Sequence, residues 1–318
     1  MRSDEGGRRM PTTGRDRRPP PKRAPAEPNG QRFGAHMSIA GGLERAFEAG
    51  LTAGCDCMQI FVKNQRQWSA GPLSDETVER FRAAAGETGI GPVIAHATYL
   101  INLASPDAVL RRRSVAALSD ELRRCARLGV PFLVVHPGAH MGAGVASGIA
   151  RIISSLNAVH RRVDEGVEVL LETTAGQGSS IGHEVEHLAR IIDGVREPRR
   201  LGVCVDTCHV FAAGYDLRKA KGYAQLADEL DRLIGVDRVR CLHVNDSKGA
   251  CGSRLDRHEH IGRGRIGRVG FSHILNDARF TQVPRILETP KGMDGRGRDW
   301  DRENLRRLRS LVTSTDRR

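Results

Sequence analysis

Eight short apolar runs recur along this chain, and the last six carry a metal-ligand residue type at or next to their C-terminal end. The runs lie at 33–36, 58–62, 92–96, 132–136, 167–172, 201–206, 240–244 and 284–288. Such short runs fit buried strands better than helices. Amphipathic stretches separate them, at about 41–50, 74–88, 106–128, 146–162, 182–194, 217–234, 270–277 and 300–312. Eight strands, each followed by a helix, predict an α/β fold of the (β/α)8 TIM-barrel type. An open doubly wound sheet is the rival, and it calls for a Gly-rich phosphate turn after the first strand. Gly41-Gly42 is too little for that.

A barrel gathers the C-terminal ends of its strands on one face. His96, His136, Glu172, Asp206, His243 and Glu288 therefore converge on one mouth. A lone histidine at a strand end is more often a core residue, and a lone carboxylate more often caps the next helix. Six at equivalent positions are different, because clustered buried carboxylates are costly unless cations neutralise them. Asp206-x-x-His209 and Asp256-Arg257-His258 add further donors within reach of the mouth. Five histidines (96, 136, 209, 243, 258) and four carboxylates (Glu172, Asp206, Asp256, Glu288) result. Nine donors exceed two open tetrahedral sites and suit three zincs, one carboxylate bridging. This donor mix favours zinc or manganese over magnesium. Three dications against four carboxylates leave about +2, a site for an anion and for hydrolytic phosphoryl transfer.

Composition agrees with an anionic partner without proving one: the net charge is +12. Aromatic residues make up only 4%, which disfavours a base-stacking RNA platform. No apolar run is long enough for a transmembrane helix, and no secretory h-region follows the N-terminus. Seven cysteines without a CxxC pair fit a reducing, cytoplasmic setting. Residues 1–31 are rich in Pro and Arg and poor in large apolar groups, so a disordered basic arm is expected there. It is either a non-specific DNA tether or a solvated tail. One barrel domain is expected over 32–314.

The sequence around the nine donors resembles the endonuclease IV family of zinc-dependent apurinic/apyrimidinic (AP) endonucleases. The matching blocks are Gly34-Ala35-His36-Met37-Ser38, Lys63-Asn64-Gln65-Arg66-Gln67-Trp68, His96-Ala97-Thr98-Tyr99-Leu100-Ile101-Asn102-Leu103 and His136-Pro137-Gly138. They continue with Glu172-Thr173-Thr174-Ala175-Gly176-Gln177-Gly178, Asp206-Thr207-Cys208-His209 and His243-Val244-Asn245-Asp246-Ser247-Lys248. Asp256-Arg257-His258-Glu259-His260-Ile261-Gly262 and Leu287-Glu288-Thr289-Pro290 complete the set, in the family's order. The resemblance implies three zincs: one on His96, His136 and Glu172; one on Glu172, Asp206, His243 and Glu288; one on His209, Asp256 and His258. It implies a zinc-generated hydroxide that cleaves duplex DNA 5′ to an abasic site. The products are a 3′ hydroxyl and a 5′ deoxyribose phosphate, and blocked 3′ ends are trimmed as well. Glu172 and Glu288 are the implied catalytic carboxylates, positioning metals and assisting proton transfer. Arg66, Tyr99 and Leu100 are the implied DNA-contacting residues, although Tyr99 taken alone also reads as a ring packing its loop. A nucleoid-associated monomer is expected.

His36 and His260 are placed near the mouth as candidate partners of the ligands. His140, His160, His183, His187 and His273 are read as surface or capping groups, and Cys204, Cys208 and Cys241 as packing residues. The Arg-rich 294–318 segment is read as a solvated final helix and tail, with contact to the DNA backbone as the alternative. Residues 262–267, Gly-Arg-Gly-Arg-Ile-Gly, read either as a phosphate cradle or as a tight loop. A sugar isomerase or epimerase with one or two metals is the alternative on the same barrel, and a non-catalytic binder of damaged DNA is a third.

Overall fold

A computed structural model describes residues 30–313. The arm expected over 1–31 lies outside the described residues except for Gly30 and Gln31, as do residues 314–318. Gln31 is already buried, its side-chain amide donating to the Leu275 carbonyl.

Eight parallel strands close a barrel: β1 (Phe33–His36), β2 (Cys57–Phe61), β3 (Val93–His96), β4 (Phe132–Val135), β5 (Glu168–Glu172), β6 (Leu201–Asp206), β7 (Val239–His243) and β10 (Arg285–Leu287). Around the barrel their order is β1-β10-β7-β6-β5-β4-β3-β2. The remaining two strands, β8 (Asp246–Ser247) and β9 (His258–Glu259), form a small antiparallel ribbon above β7. The helices are α1 (Arg45–Ala53), α2 (Asp75–Thr88), α3 (Ala108–Leu128), α4 (Val145–His160), α5 (Val185–Gly194), α6 (Thr207–Ala213), α7 (Ala220–Leu233), α8 (Gly267–Leu275) and α9 (Trp300–Arg309).

Side chains alternate along a strand, so each strand serves two cores. Outward residues such as Val93, Leu133, Val169, Val203 and Leu242 join helix residues such as Phe47, Phe81, Leu122, Leu156 and Leu230 in one cluster. Inward residues form a second, separate cluster: Cys57, Ile94, Val134, Leu170, Cys204, Cys241 and Ile286, one from each of seven strands. The eighth strand contributes Gly34. There a Cβ would lie 1.8 Å from the Cys57 carbonyl oxygen, so close approach of β1 to β2 requires glycine.

The expected strands stand within a residue or so of those observed. Two elements were not anticipated. One is α6, whose residues 207–212 are all buried, so no polar face marks it as amphipathic. It starts because the Asp206 side chain accepts the His209 N–H at 2.9 Å, an N-cap built from a barrel residue. The other is the β8–β9 ribbon, too short for a periodic signal. Helix α1 also begins later than expected, because Gly41 and Gly42 belong to a turn before it.

Gly34→Ala should be strongly destabilising, by roughly 3 kcal/mol or more, since the clash is with backbone rather than a movable side chain. Urea unfolding of the purified variant checks this, and near-wild-type stability would show that the strands can part.

Candidate metal centre

The inward cluster sets the floor of the mouth. Two residues further along each strand direction, the same inward face presents His36, Gln59, His96, His136, Glu172, Asp206, His243 and Glu288. Alternation thus places one polar residue from every strand in a single ring over an apolar layer. Glu172, Asp206, His243 and Gln59 are fully buried within it.

The donors fall into three contiguous groups. His96, His136 and Glu172 form one, Glu172, Asp206, His243 and Glu288 another, and Asp206, His209 and His258 a third; within each, ligand atoms lie within 4.8 Å of one another. Asp256 completes the third, its Oδ1 3.2 Å from His209 Nε2 and 3.4 Å from His258 Nε2. All nine expected donors are therefore brought together. Glu172 belongs to the first two groups. Asp206 belongs to the second and also to the third, its Oδ2 3.6 Å from His258 Nε2.

Proton placement decides what these groups can hold. The outer nitrogen of each of four rings faces an oxygen acceptor: His96 Nδ1 the Ala97 carbonyl at 2.7 Å, His209 Nδ1 the Thr173 carbonyl at 2.8 Å, His258 Nδ1 the Glu288 carbonyl at 3.2 Å, His243 Nε2 the Gln59 Oε1 at 2.8 Å. A neutral ring donates there, so its other nitrogen turns a lone pair toward the carboxylates. His243 Nδ1 stands 2.8 Å from Glu172 Oε1, and His136 Nε2 stands 2.9 Å from Glu172 Oε2. His209 Nε2 and His258 Nε2 are buried and make no hydrogen bond. Lone pairs facing anions at these separations need a shared cation. The donor set therefore fits divalent metals bound by nitrogen and oxygen.

The electrostatics agree. Burial alone would lower the His243 pKa, but Glu288 and Glu172 outweigh it and hold the ring well above its ordinary value. Burial is likewise overcome at His209, raised chiefly by Asp206, and at His96, raised by Glu172. Burial would raise the carboxylates; instead His136 and His243 hold Glu172 well below its usual range, and His243 and His36 do so for Glu288. Asp256 is held at about 2 by His209 and His258 against its own burial. Protons on the rings and metals are thus interchangeable ways to balance the same anions.

Several functional residues carry no ligand signal in the sequence. Gln59 donates to Glu288 Oε1 at 2.6 Å and to His36 Nδ1 at 2.9 Å, while accepting from His243. It orients two ligands, and its only sequence mark is its place two residues after Cys57. Asn245 donates to Asp206 Oδ2 at 2.7 Å and accepts the Glu288 N–H at 2.7 Å. His36 is a partner of the ligands, 3.6 Å from Glu288. His260 instead stacks on Trp300 with centroids 3.7 Å apart.

The 262–267 stretch is a tight loop and not a phosphate cradle. Its amides at Gly262, Gly264, Ile266 and Gly267 already point at the buried Asp246 carboxylate, at 2.9, 3.0, 2.9 and 3.4 Å. Gly264 is required, because a Cβ there would meet Asp246 Oδ1 at 2.5 Å. His160 is not at the surface. Its ring is buried and neither ring nitrogen makes a hydrogen bond, and burial lowers its pKa to about 4. His187 is buried too and is no helix cap; its Nδ1 accepts the Gly182 N–H at 3.4 Å, ahead of α5. His183-Glu184-Val185-Glu186-His187 has a metal-binding spacing, but α5 starts only at Val185. His183, Glu184 and His187 nevertheless place ligand atoms within 4.8 Å of one another, His183 Nε2 and His187 Nε2 lying 3.8 and 3.5 Å from the Glu184 carboxylate, a cluster separate from the nine expected donors. Cys204 and Cys241 pack in the inward cluster, as expected.

Beyond the ring, a cavity of about 370 Å³ opens between Tyr99, Asn102, His136, Gln177, His209 and Asp256. Tyr99 stands 61% exposed at its rim, its ring 5.6 Å from that of His96. Arg66 is exposed and Leu100 half-buried.

Fold and donors together define a metal-binding barrel of the xylose isomerase-like TIM-barrel class, whose family model matches residues 47–311. The chain belongs, within that class, to the endonuclease IV family. It is 53% identical over 289 residues to a probable endonuclease 4 of Chloroflexus aurantiacus, covering 90% of this chain and 99% of that one. It is 50% identical over 282 residues to the probable endonuclease 4 of Geobacter sulfurreducens, covering 88% and 94%. The crystal structure of endonuclease IV from Thermus thermophilus superposes with a TM-score of 0.77 at 38% identity, covering 88% of this chain and 98% of that one. A D-tagatose 3-epimerase-like protein, 18% identical with a TM-score of 0.66 over 88% and 95% of the chains, shares the fold alone.

Chelated protein should lose thermal stability as pH rises above about 6.5. The raised histidines stabilise the fold while protonated and stop doing so as pH climbs through their folded values. The lowered carboxylates act oppositely, their contribution failing only in acid. Metal-loaded protein should not show the alkaline loss. Melting curves of both forms from pH 6 to 9 check this, and a flat profile for the chelated form would contradict the assignment of these groups as a cation site.

Proposed function

We propose that the protein is a zinc-dependent DNA-repair endonuclease that hydrolyses the phosphodiester 5′ to abasic sites in duplex DNA. It leaves a 3′ hydroxyl and a 5′ deoxyribose phosphate, and also trims blocked 3′ ends. The single observation that carries this is three adjoining donor groups, linked through Glu172 and Asp206, beside a cavity rimmed by an exposed tyrosine. His96, His136 and Glu172 would hold the first zinc; Glu172, Asp206, His243 and Glu288 the second; His209, Asp256 and His258 the third. When bound, the zincs supply Lewis acidity and a nucleophile at neutral pH.

The chain's own residues do the rest. Neutral imidazoles leave the charge of the loaded mouth near +2, which favours a phosphodiester. Glu172 is fully buried and its oxygens face His243 and His136, so its task is to fix the first two groups against each other. Glu288 is 13% exposed and held by Gln59, which leaves it the better placed of the two to exchange a proton with substrate. An abasic site offers no base to read, and unstacking costs least where pairing is already lost. Tyr99 and Leu100 would enter the gap as a wedge, and Arg66 would fill the space beside them. The basic net charge suits contacts with the phosphate backbone, which should weaken as salt rises. The sugar isomerase alternative leaves the His209, Asp256 and His258 group and the exposed Tyr99 without a task.

Purified, zinc-loaded protein should nick a duplex carrying one abasic-site analogue, and Glu172→Ala should reduce nicking to the level of a protein-free control. An intact duplex after incubation with the unmodified protein would overturn the assignment. Tyr99→Ala should weaken preference for abasic over undamaged duplex by roughly tenfold or more, with zinc content unchanged. Loss of zinc in that variant would make Tyr99 structural instead.

A further inference from the structure

A buried ion pair lies behind the two loops that carry Arg66 and Tyr99, outside the metal centre. Glu121 of α3 and Lys63, just past β2, are both buried, with Lys63 Nζ 3.1 Å from Glu121 Oε1. Glu121 also accepts the Thr98 backbone N–H, 3.2 Å from Oε2. Lys63 donates to the Trp68 carbonyl at 2.9 Å, closing the 63–68 loop on itself. The Thr98 hydroxyl donates across to the Gln65 carbonyl, and the Leu100 N–H points back at that hydroxyl at 3.5 Å. One carboxylate thus joins the base of the Arg66 loop to the base of the Tyr99–Leu100 turn. Two more ties from α3 reinforce the first loop. Arg124 donates to the Ala70 and Gly71 carbonyls while paired with Asp120 at 2.9 Å, and the Arg113 guanidinium lies 4.4 Å over the Trp68 ring.

A dry lysine–glutamate pair is a weak source of stability, because desolvation offsets most of the attraction. Its distinctive property is geometric: a charged group satisfied on several sides tolerates little displacement. On the footing that the mouth grips abasic duplex, we propose that Glu121 and Lys63 are positioning residues for lesion recognition. They clamp the two loops into one rigid, two-pronged wedge, so that Arg66 and Tyr99–Leu100 enter the duplex together. Neither residue touches the donor ring or the reacting phosphate. Their effect is therefore on binding and discrimination, with chemistry untouched.

The test compares wild type with the double variant Lys63→Met/Glu121→Gln. This pair is neutral, nearly isosteric, and keeps an acceptor for the Thr98 N–H, so the fold should persist. KM for abasic duplex should rise roughly tenfold, with kcat at saturating duplex, bound zinc and hydrolysis of bis(4-nitrophenyl) phosphate within about twofold of wild type. In wild type, Arg66→Ala and Tyr99→Ala should also show non-additive effects on duplex affinity, and these should become additive in the double-variant background. An unchanged KM, or non-additivity that survives the substitutions, would overturn the clamp. So would equal losses on duplex and small diester, or lost zinc, which would assign the pair to the architecture of the mouth. If wild type itself fails to nick abasic duplex while retaining zinc and small-diester activity, the failure belongs to the substrate assignment instead, and the affinity cycle on duplex still decides the clamp.

Discussion

The mouth of this barrel depends on one confrontation: imidazole nitrogens aimed at the oxygens of a fully buried carboxylate. His243 and His136 both meet Glu172 within 3 Å, and Glu172 has no solvent exposure. Such contacts are unfavourable unless a positive charge sits between them, supplied by protons or by metals. The rest of the site follows from keeping that confrontation in register. The Gln59 and backbone acceptors hold the ring protons on the far side, and Asn245 ties Asp206 to the Glu288 backbone. The apolar inward layer beneath sets the height of the six donors carried by the barrel strands.

Much of this was legible in the sequence because barrel geometry turns strand ends into a shared surface. His96, Glu172, Asp206 and His243 sit at the last residue of their strands, and His136 and Glu288 just beyond theirs. A short apolar run ending on such a residue is visible without coordinates. Gln59 was not visible, because an amide is not among the usual zinc ligands and Phe61 and Val62 carry the apolar run past it. Period-two alternation from Cys57 would have found it. The 262–267 loop left two readings open for a different reason: glycines and arginines also suit an anion site, and the anion is Asp246 of the chain itself. Helix α6 escaped because complete burial removes the polar face that amphipathic patterns need.

The loops at the rim of the mouth follow another rule. Six of the nine metal donors stand at or just past barrel strand ends, where parallel pairing holds them, and His209, Asp256 and His258 stand on α6 and the β8–β9 region. Tyr99 and Arg66 stand on loops, which the barrel does not order directly. Their rigidity comes from α3, through Glu121, Arg124 and Arg113, each reaching a different point of the loop pair. The fold thus sets six of the donors on strand ends and braces the Arg66 and Tyr99 loops from α3 behind them. Asp206 crosses from strand to loop: it ends β6, caps α6, and so places His209 one turn on, at the third donor group.

Metal content per chain tests the central claim most directly. Protein purified without chelator and freed of loosely held ions should retain about three zincs by plasma mass spectrometry, and His209→Ala should lose about one of them. One or two metals in the unmodified chain, with no change on removing His209, would contradict a three-metal mouth and favour the proton-shuttling chemistry of a sugar isomerase.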